Sequence, residues 1–173
     1  MAEVEAKLPA AERKRARVST TDPEARVMKM ADAGFRPAYN VQFAVDTETQ
    51  IVVGVGLSHH GSDKAQLVPM LDQLERRYGK LPWQSLVDGG FVTLDAIEGA
   101  ARKGSKVYAP VIKPKDPNRD AYHPLPKDPP AVAAWRQRMG TAEAQEIYKL
   151  RAATGIFQGR NSGGCWWSRG CSW

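Results

Sequence analysis

Asp88 is the side chain in this sequence whose surroundings best suit phosphoryl-transfer chemistry. It follows the apolar run Ser85-Leu86-Val87 and precedes Gly89-Gly90-Phe91. A carboxylate at the end of a strand projects where α/β folds place their ligands, and glycines let a metal ion or a phosphate approach the backbone. An aspartate that only accepts amide hydrogen bonds in a tight turn would have the same local sequence. The residue types alone therefore leave both interpretations open.

One carboxylate does not make a two-metal site. Two Mg²⁺ ions that clamp the attacking and leaving oxygens need about three carboxylates from separate segments. Asp46 is expected in a polar turn, and Asp63, with Ser62, is placed to cap a helix. Asp95 and Glu98 lie in the first turns of a predicted helix, where the helix dipole favours acidic side chains. None of these four carboxylates has a strong claim to be a second ligand.

The histidines and cysteines do not have the spacing of a transition-metal site. His59 and His60 are adjacent, so on an extended segment they point to opposite faces, and His123 lies in a proline-rich stretch. Cys165 and Cys171 form no CxxC pair, and there is no second pair to complete a tetrahedral zinc site. We therefore do not expect zinc.

The elements that must position Asp88 are predicted to follow the order β-β-α-β-α-β. Periodicity, caps and glycine positions predict a β-hairpin in 39–58, a helix from Ser62-Asp63 to Gly79, a strand over 85–88, a helix over 94–103 and a strand over 106–111. Strands and helices in this order indicate an α/β layered fold with a mixed sheet and flanking helices.

The chain beyond these elements divides into a loop and a helical stretch. Residues 112–130 contain six prolines and are predicted to be a loop. Its cations could line a DNA path, or they could only keep the loop soluble; they are Lys113, Lys115, Arg119 and Lys127. From Ala131 to about Thr154 a helical period returns, and four residues are expected to be buried: Trp135, Met139, Ile147 and Leu150.

The bulk composition suits a protein that meets a polyanion. The net charge is +6, and Lys and Arg bind phosphates with release of counterions. Residues 1–20 form a polar, basic arm that either is solvated or contacts phosphates. No run approaches the roughly 18 apolar residues of a membrane span, and the start has no apolar core of a signal peptide. We expect a cytoplasmic protein that does not bind membranes.

The last stretch, 155–173, differs in kind from the rest. It has no hydrophobic period, and it holds three of the five tryptophans and both cysteines. Such Gly/Arg/Ser/Cys/Trp mixtures arise when a GC-rich gene is translated out of frame. We interpret 155–173 as an irregular tail that follows a frameshift near Thr154, and 21–154 as the folded domain.

Several segments resemble the core of bacterial insertion-sequence transposases of the DDE class. The similar segments are Thr20–Arg26, Gly34–Asp46, Leu86–Phe91, Lys113–Asp116, Trp135–Met139 and Tyr148–Arg151. The resemblance covers about residues 18–154. An aspartate followed by glycine and an aromatic residue is weak evidence alone, but the combination of segments is specific.

The resemblance implies an RNase H-like fold and DNA cleavage and strand transfer with two Mg²⁺ or Mn²⁺ ions. It makes Asp88 the second catalytic carboxylate and a metal ligand. It also implies DNA partners, both transposon ends and target, and possible homo-oligomers. The residues that it suggests for DNA contact are Lys113, Lys115, Arg119, Tyr148 and Arg151.

Two departures from the family pattern predict an incomplete, inactive domain. The strand of the first aspartate would precede the matched region, and its absence would leave a neighbouring strand as an unpaired edge. The final glutamate would follow the Tyr148-x-x-Arg151 pattern, but the sequence departs from the family at Gly155. We therefore expect a poorly stable remnant in which metal binding is lost. The alternative is a non-catalytic module that binds DNA, or that pairs with full-length transposase and inhibits it.

An unrelated α/β nuclease or hydrolase that uses Asp88 is a third possibility. It would need a Ser, Cys or His partner close to that carboxylate. Gly89-Gly90-Phe91 offers none, so this hypothesis is the weakest of the three.

Overall fold

The computed structural model describes residues 22, 24–30, 33–114, 116, 118–153 and 164–168, and for 153 and 164–168 it describes the backbone. These residues form a two-stranded sheet, a five-stranded sheet and four α-helices. The strands are β1 (Arg26–Lys29), β2 (Phe35–Ala38), β3 (Asn40–Asp46), β4 (Val52–Ser58), β5 (Gln84–Val87), β6 (Lys106–Tyr108) and β7 (Gly164–Ser168). The helices are α1 (Leu67–Tyr78), α2 (Leu94–Arg102), α3 (Pro130–Met139) and α4 (Ala142–Ala153). The predicted mixed α/β fold is confirmed.

The predicted hairpin is β3–β4, which pairs antiparallel from Asn40↔Ser58 to Val45↔Val52. Gln42 and Ala44 are buried on β3, while Val55 and Leu57 are exposed on β4. The hairpin β1–β2 was not predicted. Its strands have four residues each and are mostly exposed, so they carry little of the hydrophobic alternation that marks a strand in a sequence.

The start of α1 differs from the prediction. The helix begins at Leu67, its N-cap is Gln66, and no side chain caps it. Ser62 and Asp63 therefore do not open the helix. Its end is as predicted, because Gly79 has φ 66°, a left-handed conformation that glycine adopts without steric cost.

The predicted C-terminal helix is two helices, α3 and α4, which are separated at Gly140 and Thr141. A Cβ at Gly140 would lie 2.9 Å from Cβ of Tyr122, so only glycine lets the proline-rich loop pass this close. Trp135 and Met139 are buried as predicted. Leu150 was wrongly predicted to be buried: it is 36% exposed, since the helical period expected over 131–154 does not continue through the break at Gly140 and Thr141.

The five-stranded sheet has the order β4-β3-β7-β5-β6. Strand β7 is parallel to β3 and antiparallel to β5. Residues 164–168 thus differ from the irregular tail that the sequence indicated. The expectation of an unpaired edge in this part of the sheet is also wrong, since β3 and β5 each have a partner on both sides.

The core lies where α1 and α2 pack with the sheet and with α3. Its most enclosed members, all within the described residues, are Leu67, Leu71, Leu86, Val87, Phe91, Val107, Val132 and Trp135. Burial of each large apolar side chain contributes about 1.5–3 kcal/mol. This packing fixes the end of β5, where Asp88 lies. No helix among the described residues has both the length and the hydropathy to cross a membrane.

Candidate functional site

Asp88 lies at the end of β5 and caps a short 3-10 helix, Gly89–Phe91. Its Oδ1 accepts a hydrogen bond from the backbone N–H of Gly89 at 2.6 Å. Phe91 is fully buried and anchors the turn, while the side chain of Asp88 stays 55% exposed. Both interpretations of the sequence therefore hold at once: the carboxylate caps a tight turn, and it also faces solvent.

Helix α4 brings Tyr148 and Arg151 to this carboxylate. The guanidinium Nη2 of Arg151 lies 3.2 Å from Oδ2 of Asp88, and its Nη1 donates to the hydroxyl of Tyr148 at 3.2 Å. The same guanidinium lies 5.6 Å from the centroid of the Tyr148 ring. Residues three apart are neighbours on a helix surface, so the Tyr-x-x-Arg spacing presents both side chains to Asp88 together.

The electrostatics at Tyr148 reflect this cluster. Burial of the phenol raises the pKa of Tyr148 above its ordinary value, because the phenolate loses hydration. The positive charge of Arg151 lowers that pKa, and the negative charge of Asp88 raises it. The net direction is upward, so the hydroxyl stays protonated near neutral pH.

Asp63 also lies at this end of the sheet, beside the glycine turn. Its Oδ1 accepts hydrogen bonds from Nδ2 of Asn40 at 2.7 Å and from Nε2 of Gln42 at 3.4 Å. A Cβ at Gly90 would lie 3.4 Å from the other oxygen, Oδ2. Asn40 and Gln42 are buried, so Asp63 satisfies buried amide donors of β3 rather than the start of α1.

Two other acidic candidates have surroundings of their own. Asp46 ends β3 at the opposite end of the sheet, where its Oδ2 accepts from the N–H of Thr49 at 3.0 Å; its predicted turn position is confirmed. Asp95 is exposed in the first turn of α2. Thr93 caps this helix by accepting from the N–H of Ala96 at 3.1 Å.

The residues around Asp88 do not fit a two-metal centre. Within 22–152, apart from residues 23, 31, 32, 115 and 117, no three His, Cys, Asp or Glu side chains come together. The charged neighbour of Asp88 is a guanidinium, which repels a divalent cation, and Asp63 has its Oδ1 committed to two amides. Mg²⁺ requires several oxygen ligands in near-octahedral geometry, and the described residues around Asp88 do not supply them.

The proline-rich loop is held against α3 by a second ion pair. Nε of Arg136 lies 2.7 Å from Oδ2 of Asp128, and that oxygen also accepts from the N–H of Leu125 at 2.9 Å. Lys113 and Arg119 are exposed on this loop. Lys115 lies outside the described residues.

Taken together, the mixed sheet, its flanking helices and the carboxylate at the end of β5 agree with a partial RNase H-like domain. The family model of the transposase DDE domain matches residues 13–158, and the chain belongs to that family. No curated protein and no solved structure matches the chain. The predicted RNase H-like fold and DDE class are thus confirmed, and the unrelated-hydrolase hypothesis is dropped.

Proposed function

We propose that this chain is a DDE transposase domain that can bind DNA but does not cleave or join it. The family match supports a role in DNA transposition. The observation that carries the loss of cleavage is the pairing of Asp88 with Arg151 at 3.2 Å. By its motif, Asp88 corresponds to the second catalytic carboxylate of the family. Two metal ions need further carboxylates beside it, but the charged group beside Asp88 is the guanidinium of Arg151.

Arg151 competes with a divalent cation for the carboxylate of Asp88. Arg151 is permanently charged, and it is 23% exposed in its side chain, so it is held near Asp88 by the packing of α4. A divalent ion at Asp88 would have to displace this guanidinium or tolerate it within a few ångströms. The attraction of a divalent ion to a single carboxylate does not offset its repulsion by the guanidinium.

DNA binding is supported by the positive charge and by its placement. Lys113 and Arg119 extend from the loop that Asp128 and Arg136 fix to α3. With Lys115, they were predicted to line a DNA path, and Tyr148 and Arg151 were also predicted to contact DNA. A loop with a fixed base presents its cations at lower entropic cost than a free tail. A cytoplasmic location and pairing with full-length transposase stay predictions.

Fluorescence anisotropy with a labelled duplex at several salt concentrations tests the binding. We expect the observed association constant to fall linearly on a log–log plot, since each neutralised phosphate contributes a slope of about 0.9. The double variant Lys113→Ala/Arg119→Ala should reduce the slope by about 2. The control is Arg76→Ala/Lys80→Ala, which removes the same charge from the exposed end of α1. Equal loss in both doubles would contradict a DNA path along the loop.

Cleavage is tested separately with transposon-end DNA in Mg²⁺ and in Mn²⁺. The expected result is no nicking or joining above the level of the Asp88→Asn variant. Activity that depends on Asp88 would overturn the proposed loss of cleavage while leaving the DNA-binding result intact.

A further inference from the structure

Among the described residues, strand β7 alone joins the two halves of the five-stranded sheet. Phe43–Asp46 of β3 pair with 164–167, and Gln84–Val87 of β5 pair with 165–168. No pairing connects β3 to β5 directly in the described part of the chain. Without β7, each of these strands would present a row of unpaired N–H and C=O groups to the other across an empty position.

Most residues of β3 and β5 that pair with β7 are buried. Ala44, Val45, Leu86 and Val87 are all buried core residues. Buried backbone groups without hydrogen-bond partners each cost free energy comparable to a lost hydrogen bond. The position between β3 and β5 is therefore a slot that needs an extended strand, and its backbone groups can pair with almost any sequence.

The occupant can come from the same chain. Helix α4 reaches the Asp88 end of β5 through Arg151, and β7 enters the sheet at the same end, where Cys165 is opposite Val87. Ten residues, 154–163, connect the two elements. An extended segment of this length can span roughly 33 Å, so the connection closes easily within one molecule.

We propose that residues 164–168 insert as a strand into this slot of their own molecule. The inserted strand joins the β4-β3 and β5-β6 halves into one sheet. The C-terminal segment is then a determinant of folding rather than a dispensable tail. The strand also occupies the position next to β5, beside Asp88, and so excludes any other strand from it. This inference does not depend on whether the chain binds or cleaves DNA.

Disulfide trapping in the full chain tests the placement. The variant Val87→Cys/Cys171→Ser leaves Cys165 as the sole partner of the new cysteine. Residues directly opposite in antiparallel strands have Cα atoms about 4.5–5.5 Å apart, within the range that a disulfide spans. We expect rapid oxidation to an intramolecular disulfide between the introduced cysteine and Cys165, identified by peptide mass spectrometry and by the monomeric mass on a non-reducing gel.

The matched control is Val107→Cys/Cys171→Ser. Val107 is also a buried valine of the same sheet, but it lies on β6, two strand positions from β7. Its Cα is at least about 9.5 Å from that of Cys165, too far for a disulfide. Equal oxidation of both variants would overturn the proposal. A cross-linked dimer of the Val87→Cys variant would also overturn it, because the slot would then hold the strand of a second copy.

A second measurement covers the case in which the cysteine variants do not fold. Trp166 pairs with Val45 and Leu86, and Trp166→Pro removes its N–H from the middle of the sheet. We expect hydrogen exchange in 43–46 and 84–87 to accelerate by about tenfold or more, with little change in the separate β1–β2 hairpin. The control Ser162→Pro lies outside β7. Unchanged exchange in Trp166→Pro, or an equal effect of Ser162→Pro, would contradict the proposal.

Discussion

Two aspartate–arginine pairs in this protein have similar chemistry but opposite surroundings. Asp128 and Arg136 are 4% and 13% exposed, and their charged atoms lie 2.7 Å apart. Asp88 and Arg151 are 55% and 23% exposed, with a distance of 3.2 Å. The first pair fixes a loop, and the second lies at the end of a strand in contact with water. Burial, rather than residue type, decides which carboxylate is committed to the fold.

The reason lies in the cost of desolvation. Buried ions retain their partners because an unpaired charge in the interior is penalised by several kcal/mol. An exposed pair gains about 0–1 kcal/mol, and water can replace either partner at little cost. Asp88 therefore remains in contact with water, whereas Asp128 is almost completely enclosed.

The largest effect is expected from Asp128→Asn. Removing this charge leaves the Arg136 guanidinium in a buried position without its counterion, and we expect a loss of about 3 kcal/mol in the free energy of unfolding. Urea denaturation measures it. The control Asp120→Asn removes an exposed carboxylate from the same loop, where it accepts from the N–H of Tyr122. A loss below about 1 kcal/mol for Asp128→Asn would place this pair in the exposed class.

A smaller effect on stability is expected at the other pair. Asp88→Asn and Arg151→Gln should each change the free energy of unfolding by less than about 1 kcal/mol, because both side chains retain contact with water. Urea denaturation at low and high salt measures the change, and salt should reduce it further. A loss of about 3 kcal/mol for either variant, as large as that for Asp128→Asn, would remove the distinction between the two pairs.

The position of Asp88 could be predicted because its determinants are local. The apolar strand before it, the two glycines after it and the buried Phe91 are neighbours in the sequence and in the fold. The contact with Tyr148 and Arg151 could not be predicted in this way. It depends on the break at Gly140 and Thr141, where Thr141 caps α4 and Tyr122 of the distant proline-rich loop lies against Gly140.

For Asp63, the local sequence predicted a role that the fold does not give it. Ser62-Asp63 has the local pattern of a helix cap, but the carboxylate instead accepts from Asn40 and Gln42 on β3. The side chains of Asn40 and Gln42 are buried, so their amide donors need an acceptor, and the tertiary partner prevails over the local one. Strand β7 was missed for a related reason, because its pairing depends on backbone groups of two distant strands.

The subtlest test of the exposed site uses the titration of Tyr148. Burial raises the pKa of this phenol, so in ultraviolet difference titration Tyr148 should ionise later than an ordinary tyrosine, and Tyr148→Phe should remove one late component. Tyr39, whose pKa is also raised, is resolved by the matched variant Tyr39→Phe. Because the folded pKa lies above the unfolded value near 10, the associated stability is present below about pH 10 and is lost as the pH rises through the folded pKa.

Changes at the two charged neighbours should move this pKa in opposite directions. Arg151→Gln removes a positive charge that favours the phenolate, so the pKa of Tyr148 should rise further, whereas Asp88→Asn removes a negative charge and should lower it. A purely structural role of either side chain would not predict shifts of opposite sign in the pKa of Tyr148. Shifts in the same direction would mean that the three groups do not form one electrostatic cluster, and the competition between Arg151 and a cation at Asp88 would then lose its physical basis.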